Sequence, residues 1–323
     1  MVQGFASGNS RFVRALLVSL ALAGFSSARA QTNPSQAVDR AQLLRTQPGL
    51  REEPDSAATG TDETHAVATP NDPDLGEQAI LKRSDRYQPW TVVFSAPVSY
   101  TSNVALARSN EESDVLFTPN VAVLFVPKLT GTLFATFSIA EQQFYYHDFP
   151  EFDFGSFDAR AGLSYTVPRW HNLYLRAEYD YNRLTSRHGF DAFFENHAVN
   201  LGAEVPFPIG RAMQFSTGVD ASFSLGADPE PPRRHDYSVF AGYAVNLTRS
   251  LSANAVARLA VRDYTEIDRT DMSGIFALGV TYRFTKWLSA NAISTFATND
   301  SDIDVFDYDV FNIGGAVSFA FHF

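Results

Sequence analysis

Asp158, Arg160, Arg176, Glu178, Asp180, Glu204, Asp220, Arg258, Arg262 and Arg283, five acids and five arginines, share one parity of segments in which apolar and polar residues alternate. If those segments are strands, all ten point to one side. Ionised groups of both signs in a confined interior must pair, because an isolated charge cut off from water is costly. The set can therefore be a network bracing a narrow or closed interior. It can equally be a constriction with opposed acidic and basic walls whose field orients polar solutes, as charge rings do in selective pores. A second group is purely acidic: Glu111, Glu112 and Asp114; Asp148, Glu151 and Asp153; and Asp300, Asp302, Asp304, Asp307 and Asp309. Carboxylate clusters bind Ca²⁺ or Mg²⁺, but none of these runs has the spacing of an ordered calcium loop, and a solvated acidic rim accounts for them.

Enzyme chemistry has less to stand on. His147, His188, His197 and His235 are the histidines that a rim hydrolase would draw on. A histidine base needs a nucleophile in reach and a third group to orient it. No His-x-Ser pattern supplies one: His197 falls on an outward parity near Glu195, and His235 follows Arg233 and Arg234 in an expected loop. There is no Gly-rich phosphate loop, no HExxH and no metal-ligand spacing, so no catalytic residue, metal or cofactor is expected. The absence of cysteine excludes disulfides, thiolate sites and a lipid-anchored N-terminal Cys.

The elements that must position these groups follow from composition and period. The 323 residues contain 28 Phe and 13 Tyr against 3 Met, an aromatic load that favours strands. The formal charge is -11; the first thirty residues hold Arg11, Arg14 and Arg29 and no acid, and without those three arginines the remainder stands at -14. So acidic a chain is no partner for nucleic acid. Residues 1–30 divide into a basic region, an apolar run from Ala15 to Phe25 and the small-residue ending Ala28-Arg29-Ala30, the pattern of a secretory signal peptide with cleavage expected after Ala30. Residues 31–88 scatter Pro34, Pro48, Pro54, Pro70 and Pro73 among polar residues and read as a mostly disordered periplasmic segment. One short helix is expected from Ser35 to Thr46, with Val38, Ala41, Leu43 and Leu44 as a narrow apolar face. It is either a docking helix or plug that enters a barrel mouth, or part of a periplasmic spacer; the spacer is the expectation adopted.

From Trp90 onward the period is two. Met272, Gly274, Phe276, Leu278, Val280, Tyr282 and Phe284 alternate with Ser273, Ile275, Ala277, Gly279, Thr281 and Arg283. Met213, Phe215, Val219 and Phe223 against Gln214, Ser216, Gly218 and Asp220 repeat the split, and so do Leu173, Leu175, Tyr179 and Tyr181 against Tyr174, Arg176, Glu178 and Asp180. A soluble sandwich alternates too. Three features point to the membrane. The aromatics Trp90, Tyr165, Trp170, Phe207, Tyr282 and Trp287 sit near strand ends, where interfacial girdles form. Short connections (127–131, 168–172, 206–211, 248–250, 285–286) alternate with longer ones (103–113, 147–151, 186–193, 226–235, 266–271, 300–306), as they do when short turns face the periplasm. Phe311, Ile313, Val317, Phe319, Phe321 and Phe323 alternate to the end of the chain.

That last strand resembles the C-terminal signal by which Gram-negative outer-membrane barrels are handed to their assembly machinery, with Phe319, Phe321 and Phe323 as its residues. Across 90–323 the chain resembles porin-like outer-membrane barrels. The resemblance implies outer-membrane location, with lipid, lipopolysaccharide and the barrel-assembly machinery as partners. The expected fold is all-β: a transmembrane antiparallel up-and-down β-barrel of about twelve strands over residues 89–323. The first strand is expected at Trp90 to Asn103 and the last at Asp307 to Phe323. The segment 132–147 fits least well, because Glu141 lands on its apolar face. Two functions remain open: a pore or transport protein for small polar solutes or an export exit, and a closed structural barrel that anchors the periplasmic segment, which would bind a periplasmic protein, or displays an interaction surface. The oligomeric state is open.

Overall fold

The structure, a computed structural model, describes residues 34–45, 87–186, 191–210 and 212–323. The expected signal peptide and most of the polar segment lie outside these residues.

The alternating stretches form thirteen strands, and from β3 onward each is hydrogen-bonded to the next in sequence: β1 (Trp90–Thr101), β2 (Asp114–Phe117), β3 (Asn120–Phe125), β4 (Leu133–Tyr146), β5 (Phe154–Val167), β6 (Leu173–Ser186), β7 (Ala192–Ile209), β8 (Met213–Asp228), β9 (Arg234–Asn246), β10 (Leu251–Tyr264), β11 (Arg269–Arg283), β12 (Leu288–Ser301) and β13 (Tyr308–His322). β1 closes the ring on β13, antiparallel from Thr91↔His322 to Thr101↔Asn312. Trp90 and Phe323 complete the seam with hydrogen bonds in both directions, each 3.0 Å. β2 and β3 both lie between β1 and β4, so they are two halves of one stave. The break falls at Thr118-Pro119, where proline has no N–H to give the ladder. The result is a closed antiparallel barrel of twelve staves in which no stave is an edge strand, as a bilayer demands.

The two faces divide as the alternation requires. Met272, Phe276, Leu278, Val280 and Tyr282 stand exposed on the outer wall, while Ser273 and Ala277 between them are each 1% exposed. Trp90, Tyr165, Trp170, Phe207, Tyr282 and Trp287 are all exposed at the short-turn rim and form a girdle there. Glu141 does face outward, across from Val121 and Phe157, and takes a hydrogen bond from Gln143.

Several boundaries differ from expectation. β1 ends at Thr101 and β13 begins at Tyr308. β7 runs through Pro206 to Ile209, where a turn was expected. β6 partners β7 only as far as Glu204, so one edge is open beyond it and proline is tolerated. On the opposite rim β8, β9, β11 and β12 extend into expected loops, to Asp228, from Arg234, from Arg269 and to Ser301. His235 accordingly lies in β9. Above the bilayer an outward residue has no need to be apolar, so the alternation fades although the ladder continues.

The helix α1 (Pro34–Arg45) opens with proline at its first position, where the missing N–H costs nothing. It is not against the outside of the barrel. Its side chains contact the inward faces of strands on every side of the wall, so it sits inside the lumen.

Candidate functional site in the barrel lumen

Three sets of α1 side chains meet three sectors of the wall. Ala37 and Ala41, one turn apart, are each 2% exposed and pack with Val104, Leu116, Phe144, Tyr146, Phe154, Leu184 and Phe194 from one side. Phe144 and Phe154 stack there at 4.1 Å between centroids. Leu43, fully buried, meets Leu106, Ala297, Tyr308 and Val310; burying such a side chain is worth about 1.5–3 kcal/mol. Between these apolar contacts the helix is held by polar ones. Leu44, the fourth residue of the expected apolar face, has its side chain outside the described residues.

The Arg40 guanidinium donates to Thr101 Oγ1 at 3.0 Å, to Asn312 Oδ1 at 3.2 Å, to Val104 O at 3.0 Å and to Asn103 O. All four acceptors belong to the seam between β1 and β13 or the loop above it. Asn103 is fixed in turn, its side chain donating to Ala107 O and Asp309 O. Across the lumen, Asp39 Oδ1 accepts from Arg234 Nη1 at 2.7 Å and from Arg262 Nη1 at 3.2 Å. Gln42 Oε1 accepts from Arg234 Nη2 at 2.6 Å, and Gln42 Nε2 donates to Asp236 Oδ2 at 3.2 Å. Tyr264 and Asn299 complete the cradle: Arg234 donates to the Tyr264 hydroxyl at 2.7 Å and Arg262 to Asn299 Oδ1 at 3.2 Å. Burial by itself would push the Asp39 carboxyl up; the Arg234 and Arg262 guanidiniums outweigh it and hold the group below the usual carboxylate range. Every contact lies at the end of the barrel opposite the Trp90–Phe323 seam, among the strand ends joined by the longer connections. In outer-membrane barrels that end is extracellular.

The ten inward ionisable residues are distributed among local groups. Arg160 lies 3.3 Å from Asp180 and 3.9 Å from Asp158. Arg176 pairs with Asp220 over Gly202, which is register partner to both; a Cβ there would fall 2.4 Å from Arg176 Nε and 2.7 Å from Asp220 Oδ1. Arg262 joins the α1 site. Arg258, two pleat repeats below it on β10, has a buried Nε with no hydrogen-bond partner. Glu178 and Glu204 are partly buried on the same face, and Arg283 stands exposed at the short-turn rim, away from these groups. Sequence reasoning missed Asp39, Arg40 and Gln42 on the helix and Arg234, Asp236, Arg269 and Asp271 on the wall. Arg234, Arg269 and Asp271 fell in stretches read as loops, and Asp236 follows directly after one. Their parity, Arg234 with Asp236 and Arg269 with Asp271, was the signal available.

The rim is partly organised. Arg108 pairs with Asp304 at 2.9 Å and Asp307 at 3.6 Å. Asp114, at the start of β2, and Asp148, in the loop after β4, converge with His147; Asp114 accepts the Asp148 and Val115 N–H groups. His147 contacts Asp148 at 2.9 Å, His197 bonds Tyr179 on the outer wall, and His235 Nδ1 accepts the Ser224 N–H. His188 lies outside the described residues.

No protein-family profile matches the chain, and no curated protein does. Solved structures match over the barrel. An outer-membrane channel from Pseudomonas putida F1 is 12% identical, with a TM-score of 0.51, over 72% of this chain and 96% of that one. The NanC porin is 8% identical, with a TM-score of 0.42, over 70% and 98%. The translocator domain of the autotransporter NalP from Neisseria meningitidis is 12% identical, with a TM-score of 0.41, over 72% and 88%. The chain thus has the fold of porin-like bacterial outer-membrane β-barrels.

Proposed function

We propose that the protein is an outer-membrane pore for small polar solutes whose own N-terminal helix closes the lumen at its extracellular end. The carrying observation is how α1 is held. Asp39, Arg40 and Gln42 attach it through ion pairs and hydrogen bonds to strands on different sides of the wall, and among the described side chains Ala37, Ala41 and Leu43 are the fully buried apolar anchors, with Val38 partly buried beside them. Such a helix can leave without exposing a large apolar face, and the polar groups it vacates can be taken over by water, ions or solute entering the lumen. The wall below it stays polar: Ser95, Ser99, Asn291, Thr295 and Ser318 line the seam sector.

Single-channel recording in planar bilayers tests this. Wild type should be silent for most of the record, and the double variant Asp39→Ala, Arg40→Ala should pass steady current. Silence from both, and from a chain lacking residues 34–45, overturns the pore and leaves the closed structural barrel. Equal steady current from both overturns the gate.

A further inference from the structure

Arg262 is 2% exposed, and among the described residues the carboxylate within ion-pair distance of it comes from the helix, not the wall. Arg234 has a wall partner, Asp236 at 3.0 Å, yet its Nη1 is directed to Asp39 at 2.7 Å. Tyr264 and Asn299 orient the two guanidiniums from behind, and the Arg234 and Arg269 guanidiniums lie over the Tyr264 ring at 5.5 Å and 4.2 Å. This is a preorganised two-arginine receptor for one carboxylate, a group that guanidinium geometry matches well. Removing α1 takes Asp39 away and leaves Arg262 in the wall without its ion-pair partner, with Arg258, whose Nε has no hydrogen-bond partner, on the same strand below. A buried arginine without a counter-charge draws an anion.

We propose that the Asp39 pocket, formed by Arg234, Arg262, Tyr264 and Asn299, is a binding site for the carboxylate of a small organic acid, and that Asp39 occupies it as a stand-in while the lumen is closed. The inference rests on the gated-pore reading for its physiological meaning, because the acid enters as the helix leaves. Solute and helix then compete for one site, so the solute favours the open state in proportion to its affinity for the vacated pocket.

The test uses the full chain in detergent and reads binding without current. Labelled succinate is equilibrated with wild type, Asp39→Ala and Asp39→Asn, at constant ionic strength with chloride as counter-ion. Both variants should bind saturably, more tightly than wild type, and their thermal midpoints should rise with succinate. The asparagine variant keeps the side chain's shape should the alanine variant fold poorly. Adding Arg262→Gln to either should weaken binding about tenfold or more, the equivalent of one lost charge-assisted contact. Absence of binding, binding indifferent to Arg262→Gln, or equally tight binding of sulfate would overturn the carboxylate site. Binding with silent bilayers defeats the pore reading alone. Open variants without succinate binding defeat this inference alone.

Discussion

Arg40 places one guanidinium against two main-chain carbonyls and two side-chain oxygens, all buried. Arg40→Ala removes hydrogen bonds to a charged group, each worth about 1.5–3 kcal/mol, and should shift α1 toward the undocked state. Arg40→Lys should rescue little, because a point charge cannot reproduce the planar fork. The chain contains no cysteine, so Ala37→Cys makes a unique probe at a buried position: maleimide labelling should be slow in the parent and markedly faster with Arg40→Ala. Asp39 adds a pH dependence. Its folded-state pKa is depressed, so its contribution to docking is present above the free carboxyl value of about 4 and is lost as pH falls through the lower docked value. The charged and titratable groups facing it are Arg234, Arg262, Arg269, Tyr264 and Tyr308, with Asp236 paired to Arg234 beside them. Labelling at position 37 should therefore accelerate at strongly acidic pH in the parent, and Asp39→Asn should label quickly with a flatter profile.

At the scale of single elements, α1 owes its structure to its surroundings. Twelve residues are marginal as an isolated helix in water, and the apolar residues here are spread toward two separate wall clusters. A peptide of residues 31–48 should show little helical circular dichroism alone; strong helicity would mean the segment folds before it docks. The strands carry the opposite logic, since each half of their surface answers to a different solvent. Phe276 is 47% exposed and Val219 53% exposed on the outer wall near mid-strand. Arginine at either should destabilise the refolded barrel by about 2–4 kcal/mol, measured by urea unfolding in lipid vesicles. On the inner face the limit is space. Gly202→Val would drive a side chain between Arg176 and Asp220, so it should break that pair and lower the unfolding midpoint.

For the molecule as a whole, closure depends on the last residues. Phe323 exchanges two main-chain hydrogen bonds with Trp90, and the neighbouring Phe319 and Phe321 lie beside Trp287 at 6.0 and 6.2 Å. The terminal phenylalanine thus belongs to the seam as well as to the segment that resembles an assembly signal. Replacing Phe323 with aspartate should reduce the amount of barrel recovered in outer membranes by more than it lowers the urea midpoint of protein refolded in detergent, if recognition is its larger role. Equal effects on both would assign it to the seam. The helix and the seam are also joined, because Arg40 bonds Thr101 and Asn312, directly paired residues of β1 and β13. Docking α1 therefore ties the first and last strands together at the end with the longer connections, while Trp90 and Phe323 do so at the other.

Alternation is a local property, readable from a dozen residues, and it settled the strands, their inward and outward faces, the aromatic girdle and the barrel that must follow from them. It also placed Arg176, Asp220, Arg258 and Arg262 on the inward face before any pairing was known. It faded where the staves rise beyond the bilayer, so Arg234, Arg269 and Asp271 were hidden in apparent loops and Asp236 stood at the edge of one. Nothing local marked Asp39 or Arg40, since one acid and one base in a weakly amphipathic helix suit a solvated face equally well. Their partners lie 195 residues away at Arg234 and 272 away at Asn312. Those contacts exist only once the ring has closed and brought strands from both ends of the barrel around one cavity, because burial is conferred by the assembled wall and not by the segment it encloses.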